Sequence, residues 1–338
     1  MNLQPHSSSL KPQASSLKPQ LGYNPPPIPI GYPMTEILTQ AALLILAGTL
    51  WNAFRIGGQD PQLVRRAIGD LVYFLLLPAL VLSVLWSAPL GLDSLRIAGS
   101  AAAGVLGGLL LAALWYAWRG SPRQRAGALI LAAGFPNATY LGLPVLEHTF
   151  GPWARSIAIQ YDLFACTPLL LSVGILLARS YGNHGETGPV WLTLLKVPPL
   201  WAALAAIALN LGEVPRPEWL SGLLEMTGGA VIPLMLFALG LSLRWDPEAA
   251  RRLPMVTPVL LIQLALAPLL VWGLGGAMGL EGDILAGVVL EAAMPSMVLG
   301  LVLCDRFGLD TGLYAVTVTL GTAFSLLSLP LWAGLLLP

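Results

Sequence analysis

Asn137, Thr139 and Tyr140 follow Pro136 within the stretch GFPNATYLGLP (residues 134–144), and the residues on both sides are apolar over a bilayer-spanning length. A second proline, Pro295, stands between Glu291 and Ser296 and also closes an apolar run, Leu285 to Ala293. An amide, several hydroxyls and a carboxyl at two proline breaks are groups that hold a small ion, not groups that cleave a covalent bond. Each half-helix N-terminus contributes up to ~2 kcal/mol toward an anion in a partly buried geometry. Desolvating a carboxylate costs several kcal/mol even after relaxation. Side-chain donors must therefore help, and Asn137, Thr139, Tyr140 and Ser296, beside Pro136 and Pro295, are the expected substrate-binding residues.

Glu291 lies four residues before Pro295, at the negative C-terminal end of its half-helix. An ionised carboxylate there would repel an anion. Glu291 is therefore expected to be protonated or to hold a coupling cation, H+ or Na+, because buried acids in membrane spans default to functional roles. Asp162, next to Gln160 and Tyr161, is the second candidate for that role. The structural alternatives are interhelical glue for Asn137, snorkelling or pairing for Glu291, and pairing for Asp162. Asp70 and Glu225 begin their spans and read as interfacial. No paired-carboxylate, His–Glu or nucleophile constellation is visible, so no catalytic residue and no enzyme is expected. His6, His148 and His184 show no metal-ligand spacing, and neither a metal nor a cofactor is expected. Cys166 and Cys304 sit in apolar runs and read as small buried hydrophobes.

The elements that position these groups follow from composition. The chain has 338 residues, 56% hydrophobic and 10% charged, with mean hydropathy +0.75. Soluble domains carry about 25% charge, so this is a polytopic membrane protein with the lipid bilayer as its surroundings. The formal net charge is zero, which points to no nucleic-acid partner. Residues 1–33 contain the repeated SSLKPQ at 8–13 and 15–20 and read as a disordered tail; Met34, before the first apolar run, is a candidate start. Ten spans are expected near 35–54, 67–87, 97–118, 126–147, 154–178, 190–210, 222–243, 255–278, 284–304 and 312–336. Loops after odd-numbered spans hold 12 Lys and Arg residues, against three after even-numbered spans. The positive-inside bias places the first set in the cytoplasm and both termini outside. Tryptophans at span ends, including Trp86, Trp118, Trp191 and Trp219, read as an aromatic belt.

Two signatures recur. Asp70 precedes Pro78 by eight residues, as Glu225 precedes Pro233. Ala132-Ala133 before Pro136 and Leu141-Gly142-Leu143 after it are matched by Ala292-Ala293 before Pro295 and Leu299-Gly300-Leu301 after it. The proline offsets are 155 and 159, one duplication five spans apart, and five being odd, the copies are inverted. The expected fold is all-α, ten transmembrane helices in two inverted five-helix repeats, 34–180 and 188–338, with broken crossover helices.

The stretch Phe135-Pro136-Asn137-Ala138-Thr139-Tyr140-Leu141-Gly142-Leu143-Pro144 resembles the first crossover of the auxin efflux carrier family, which includes plant PIN-type carriers and bacterial putative malonate transporters. Ala292-Ala293-Met294-Pro295 resembles its second crossover, Ile232-Pro233-Leu234 through Gly240 its seventh span, and Ser325 to Pro330 its last. The resemblance implies scaffold and core domains, elevator-like alternating access, and contact between Asn137 and a substrate carboxylate. The loop between spans five and six is short, and Ser296-Met297 lacks the polar pattern of many plant members, so auxin itself is not implied.

The expected function is secondary transport of small organic anions across the cytoplasmic (inner) membrane, with efflux as the direction. Two alternatives stand beside it. One is an importer coupled to H+ or Na+, resembling the bile acid symporters, whose inverted-repeat design is akin to NhaA. The other is a ligand sensor that does not transport. Small-residue faces at Gly104–Gly108 and Gly273–Gly276 suit packing within one chain or in a homodimer.

Overall fold

The computed structural model describes residues 34–183, 195–243 and 249–337. The tail over 1–33, His184, Trp191, Arg244 and the start of the sixth expected span lie outside the described residues. The described backbone is helical, with one isolated antiparallel bridge, Pro136 to Ser296. In chain order the helices are α1 (Met34–Phe54), α2 (Pro61–Trp86), α3 (Leu92–Trp118), α4 (Arg123–Gly134), α5 (Leu143–Phe150) and α6 (Pro152–Tyr181). They continue with α7 (Pro198–Leu211), α8 (Glu218–Ser242) and α9 (Arg251–Ala277), α10 (Gly282–Ala292), α11 (Gly300–Phe307) and α12 (Thr311–Leu336).

Among the described residues, six helices are long and apolar enough to cross a membrane: α2, α3, α6, α8, α9 and α12. Two shorter apolar helices, Thr39–Phe54 and Pro198–Leu211, accompany them. Leucines such as Leu114, Leu327 and Leu331 are exposed on the long helices, a face that only lipid covers at low cost. The protein is a polytopic α-helical membrane protein.

Prolines shape these helices in a regular way. Four times, a five-residue turn closed by an i to i+5 bond ends two residues before a proline. The bonds run from Leu77 N to Val72 O before Pro78, and from Leu143 N to Ala138 O before Pro144. They recur from Thr167 N to Asp162 O before Pro168, and from Ala267 N to Ile262 O before Pro268. Proline brings no N–H, and its ring collides with the carbonyl four residues back; widening the turn moves that carbonyl aside. The displaced carbonyl of Leu264, four residues before Pro268, accepts the indole N–H of Trp332 at 2.8 Å. A further wide turn, Leu170–Gly174, has no proline after it.

The packing falls into two groups. In the first, α1 lies on the second half of α8, and α2 packs against α7 and α8. Gly48 and Gly240 set the α1–α8 distance: a Cβ on either would stand 2.1 Å from the Phe237 carbonyl oxygen or 2.0 Å from that of Ile45. The Asn210 amide of α7 caps the end of α2 by donating to the carbonyls of Leu85, Trp86 and Ala88 at 3.1, 2.8 and 2.9 Å. Trp86, expected in the aromatic belt, is buried and donates to Val214 O instead. Trp118 and Trp219 are exposed, as a belt requires. In the second group α3 packs against α4 and α9, α10 against α6 and α9, and α12 against α4 and α9.

Candidate functional site

The sequence between α4 and α5 and that between α10 and α11 meet. Helix α4 stops at Gly134 because Pro136 cannot continue it, and Phe135 is extended (φ −113°, ψ 103°). Asn137 N donates to Pro295 O at 2.7 Å and Met297 N donates to Phe135 O at 2.9 Å. The two interrupted segments thus satisfy each other as a minimal antiparallel ladder, which is how irregular backbone survives away from water. The remaining carbonyls find side chains. Ser296 Oγ donates to Ala132 O at 2.7 Å, Gln263 Nε2 to Met294 O at 3.2 Å, and Tyr314 OH to Met297 O at 2.8 Å.

A cavity of about 90 Å3 lies beside the first break, room for a few water molecules or a very small ligand. Asn137, Ala138, Thr139 and Tyr140 line it from the first break, and Asp162, Leu163, Thr167 and Leu171 from α6. Met297, Val298 and Leu299 close it from the second break, while Tyr73 and Leu77 of α2 and Val197 and Pro199 at the start of α7 form the opposite wall. The cavity therefore sits between the two packing groups. Asn137 is 3% exposed and its Nδ2 has no hydrogen-bond partner. An unpaired buried amide costs about 1–3 kcal/mol, so this donor is primed for an acceptor. The first turn of the segment entering α5 adds N–H groups with no intrahelical acceptor.

Of the residues the sequence singles out, Asn137, Thr139, Tyr140 and Asp162 come together around the cavity. Asp162 accepts from Thr139 Oγ1 across the cavity and from Thr167 Oγ1 at 3.0 Å. Pro136 and Pro295 are buried in the joined backbone. Ser296 is also buried, but its hydroxyl is engaged by Ala132 and it does not line the cavity. Glu291 lies behind the site: it is fully buried, neither carboxyl oxygen has a partner, and it abuts Gly142, where a Cβ would stand 2.2 Å from Oε2. Tyr73, Thr167 and the two residues from α7 were not read from the sequence. Thr167 carried a signal, because a wide turn before Pro168 brings i and i+5 together.

A many-helix chain with a cavity that holds polar side chains beside two mutually bonded helix breaks suits a membrane transporter, and the comparisons agree in kind. Residues 187–333 match the family described as Membrane transport protein. Over 307 residues the chain is 30% identical to an uncharacterized transporter of Methanothermobacter thermautotrophicus, covering 89% of this chain and 98% of that one. It is 29% identical over 228 residues to the uncharacterized transporter MJ1031 of Methanocaldococcus jannaschii, covering 63% and 70% of the two chains. It is 25% identical over 236 residues to the uncharacterized transporter YfdV of Escherichia coli, covering 66% and 74%. The chain belongs to the auxin efflux carrier family of membrane transport proteins.

Proposed function

We propose that the protein is a secondary carrier of small organic anions that works by alternating access in the cytoplasmic membrane, with efflux as its direction and both termini outside. The observation that carries this reading is the unpartnered, buried Asn137 amide at the cavity. An amide donor and a helix N-terminus select a carboxylate over a neutral or cationic ligand. Counting α4 with α5 and α10 with α11 as single interrupted crossings, beside α1, α7 and the six long helices, makes ten crossings and supports a reading of ten spans in two inverted repeats.

The position of the cavity supports the transport step. One wall belongs to α2 and α7, and the rest to the group containing both breaks. Displacement of the second group along the first would carry a ligand held at Asn137 together with the part of its lining that belongs to the second group. The buried acids Asp162 and Glu291 favour a second reading, in which transport is coupled to a cation and runs inward.

Thermal-shift measurements of the purified protein against mono- and dicarboxylates test the ligand class. A carboxylate is expected to raise the unfolding temperature of the wild type but not of Asn137→Ala. Flux into proteoliposomes separates a carrier from a sensor, since a sensor binds without moving its ligand. Stabilisation by amines or sugars in place of carboxylates would overturn the reading.

A further inference from the structure

Two acids flank one short stretch of chain. The wide turn Ala138–Gly142 presents Thr139 to Asp162 on one side and Gly142 to Glu291 on the other. Asp162 acts electrostatically on Glu291, so the two belong to one local field. The groups within that field are Tyr161 of α6, beside Glu291, Cys166 of α6, beside Asp162 and then Glu291, and Tyr73 of α2 and Tyr140 of the wide turn, beside Asp162. Arg65 of α2 acts on Tyr140 through its charge alone. The ion pairs Arg96–Asp93, Arg125–Asp310, Arg155–Glu147 and Arg216–Glu225 involve neither acid.

The surroundings of the two acids differ in kind. Glu291 has no hydrogen-bond partner on either oxygen, does not line the cavity, and is pressed against the backbone at Gly142. A buried carboxyl with no donor on either oxygen is least costly as the neutral acid. Asp162 lines the cavity that contains Asn137, and both its oxygens accept hydroxyl hydrogens, from Thr139 and Thr167. Those two hydroxyls favour the carboxylate form, against the cost that burial sets on its charge. An anion entering at Asn137 would then share the cavity with a second negative charge. Like charges so placed weaken binding by roughly tenfold to a hundredfold at an effective dielectric near 20. By linkage the anion strengthens proton binding at Asp162 by the same factor.

We propose that each anion is bound together with one proton, taken from water onto the Asp162 carboxylate, while Glu291 remains a neutral acid throughout. The step forms one O–H bond at Asp162 and leaves no charge behind in the cavity beyond that of the anion. Thr139, on the stretch that carries Asn137, is the positioning residue that links occupancy by the anion to the state of Asp162. The proposal rests on the anion-carrier reading in its cation-coupled form and names the coupling ion and the group that carries it.

Isothermal titration of the full chain with malonate, in two buffers of equal pH and different heats of ionisation, reads proton uptake directly. At the pH of maximal coupling the wild type is expected to take up about half a proton per malonate for tenfold coupling and about 0.8 for hundredfold, equally in sodium and choline salts. Asp162→Asn is expected to take up none and to bind malonate about threefold to tenfold more tightly at that pH, rising toward tenfold to a hundredfold at higher pH. Glu291→Gln is expected to leave the uptake unchanged. Uptake that survives in Asp162→Asn, disappears in Glu291→Gln, or is replaced by a sodium requirement would overturn the assignment. If neither malonate, acetate nor succinate binds the wild type, the anion reading fails, and infrared difference spectra of the ligand-free chain between about pH 5 and pH 8 decide the proton site. A carboxylic-acid band that titrates in the wild type and is missing from Asp162→Asn upholds it; no such band refutes it.

Discussion

The two helix breaks are built on the same plan and put to different uses. Each follows a helix with a small residue at its end, turns at a proline, and has a glycine at or just before the start of the next helix packed against a foreign side chain. At the first break that glycine is Gly142 and the side chain is the Glu291 carboxyl; at the second it is Gly300 and the side chain is Tyr314. Around the second break the donors are engaged, Ser296 with Ala132, Gln263 with Met294 and Tyr314 with Met297, and the unpartnered atoms are acceptors, the Glu291 carboxyl and Gln263 Oε1. Around the first, the Asn137 amide has no partner and faces a cavity. One break supports and the other receives. A broken helix is thus not a binding site by virtue of being broken; the open donor makes the difference.

Substitutions that respect this division should separate stability from binding. The largest effect is expected from Gly300→Ala, because its Cβ would lie 1.9 Å from the Tyr314 hydroxyl. Overpacking of about 1–3 kcal/mol adds to a lost buried hydrogen bond of about 1–3 kcal/mol, and the unfolding temperature should fall accordingly. Asn137→Ala comes next and acts on the other property. Loss of a hydrogen bond to a charged ligand is worth about 1.5–3 kcal/mol, which is roughly a tenfold to hundredfold loss of carboxylate affinity. Its unfolding temperature should not drop, since the amide removed has no partner in the empty protein. Ser296→Ala reverses the pattern: about 1–2 kcal/mol of stability is lost through the orphaned Ala132 carbonyl, with affinity within twofold. A Ser296 variant that lost affinity as Asn137→Ala does would erase the distinction between the breaks.

The sequence displays Pro136 and Pro295 and the polar residues after them because a proline acts on its own helix, four residues back, whatever surrounds it. Asn137, Thr139 and Tyr140 could be placed near the cavity for the same local reason. The direction of Ser296 could not. On an extended segment neighbouring side chains point opposite ways, and which way faces the ligand depends on how the two segments pair, with Pro136 opposite Ser296. Tyr73 was hidden by distance: it sits on a separate helix, and only the packing of α2 and α7 across the cavity gives it a role. The contact between Glu291 and Gly142 is equally non-local, joining residues 149 positions apart. Trp86 shows the converse error, a residue at a span end whose indole is consumed by Val214 and not by an interface.

The smallest expected effect is also the most discriminating. Thr167→Val removes one of the two hydroxyl donors on Asp162 and leaves Thr139 in place. If the Asp162 cluster were only a structural tie across the first break, the substitution would weaken that break, and carboxylate affinity would fall with stability. If Asp162 must become neutral before an anion can enter, loss of a donor that favours the carboxylate makes neutralisation easier. One such hydrogen bond is worth about 1 kcal/mol, so affinity at neutral pH should rise about fivefold while the unfolding temperature falls slightly. Thr167→Ser keeps the hydroxyl and should restore wild-type affinity. Opposite signs in stability and affinity from a single methyl-for-hydroxyl exchange would mark the first break as the receiving one, and equal signs would return it to the same supporting role as the second.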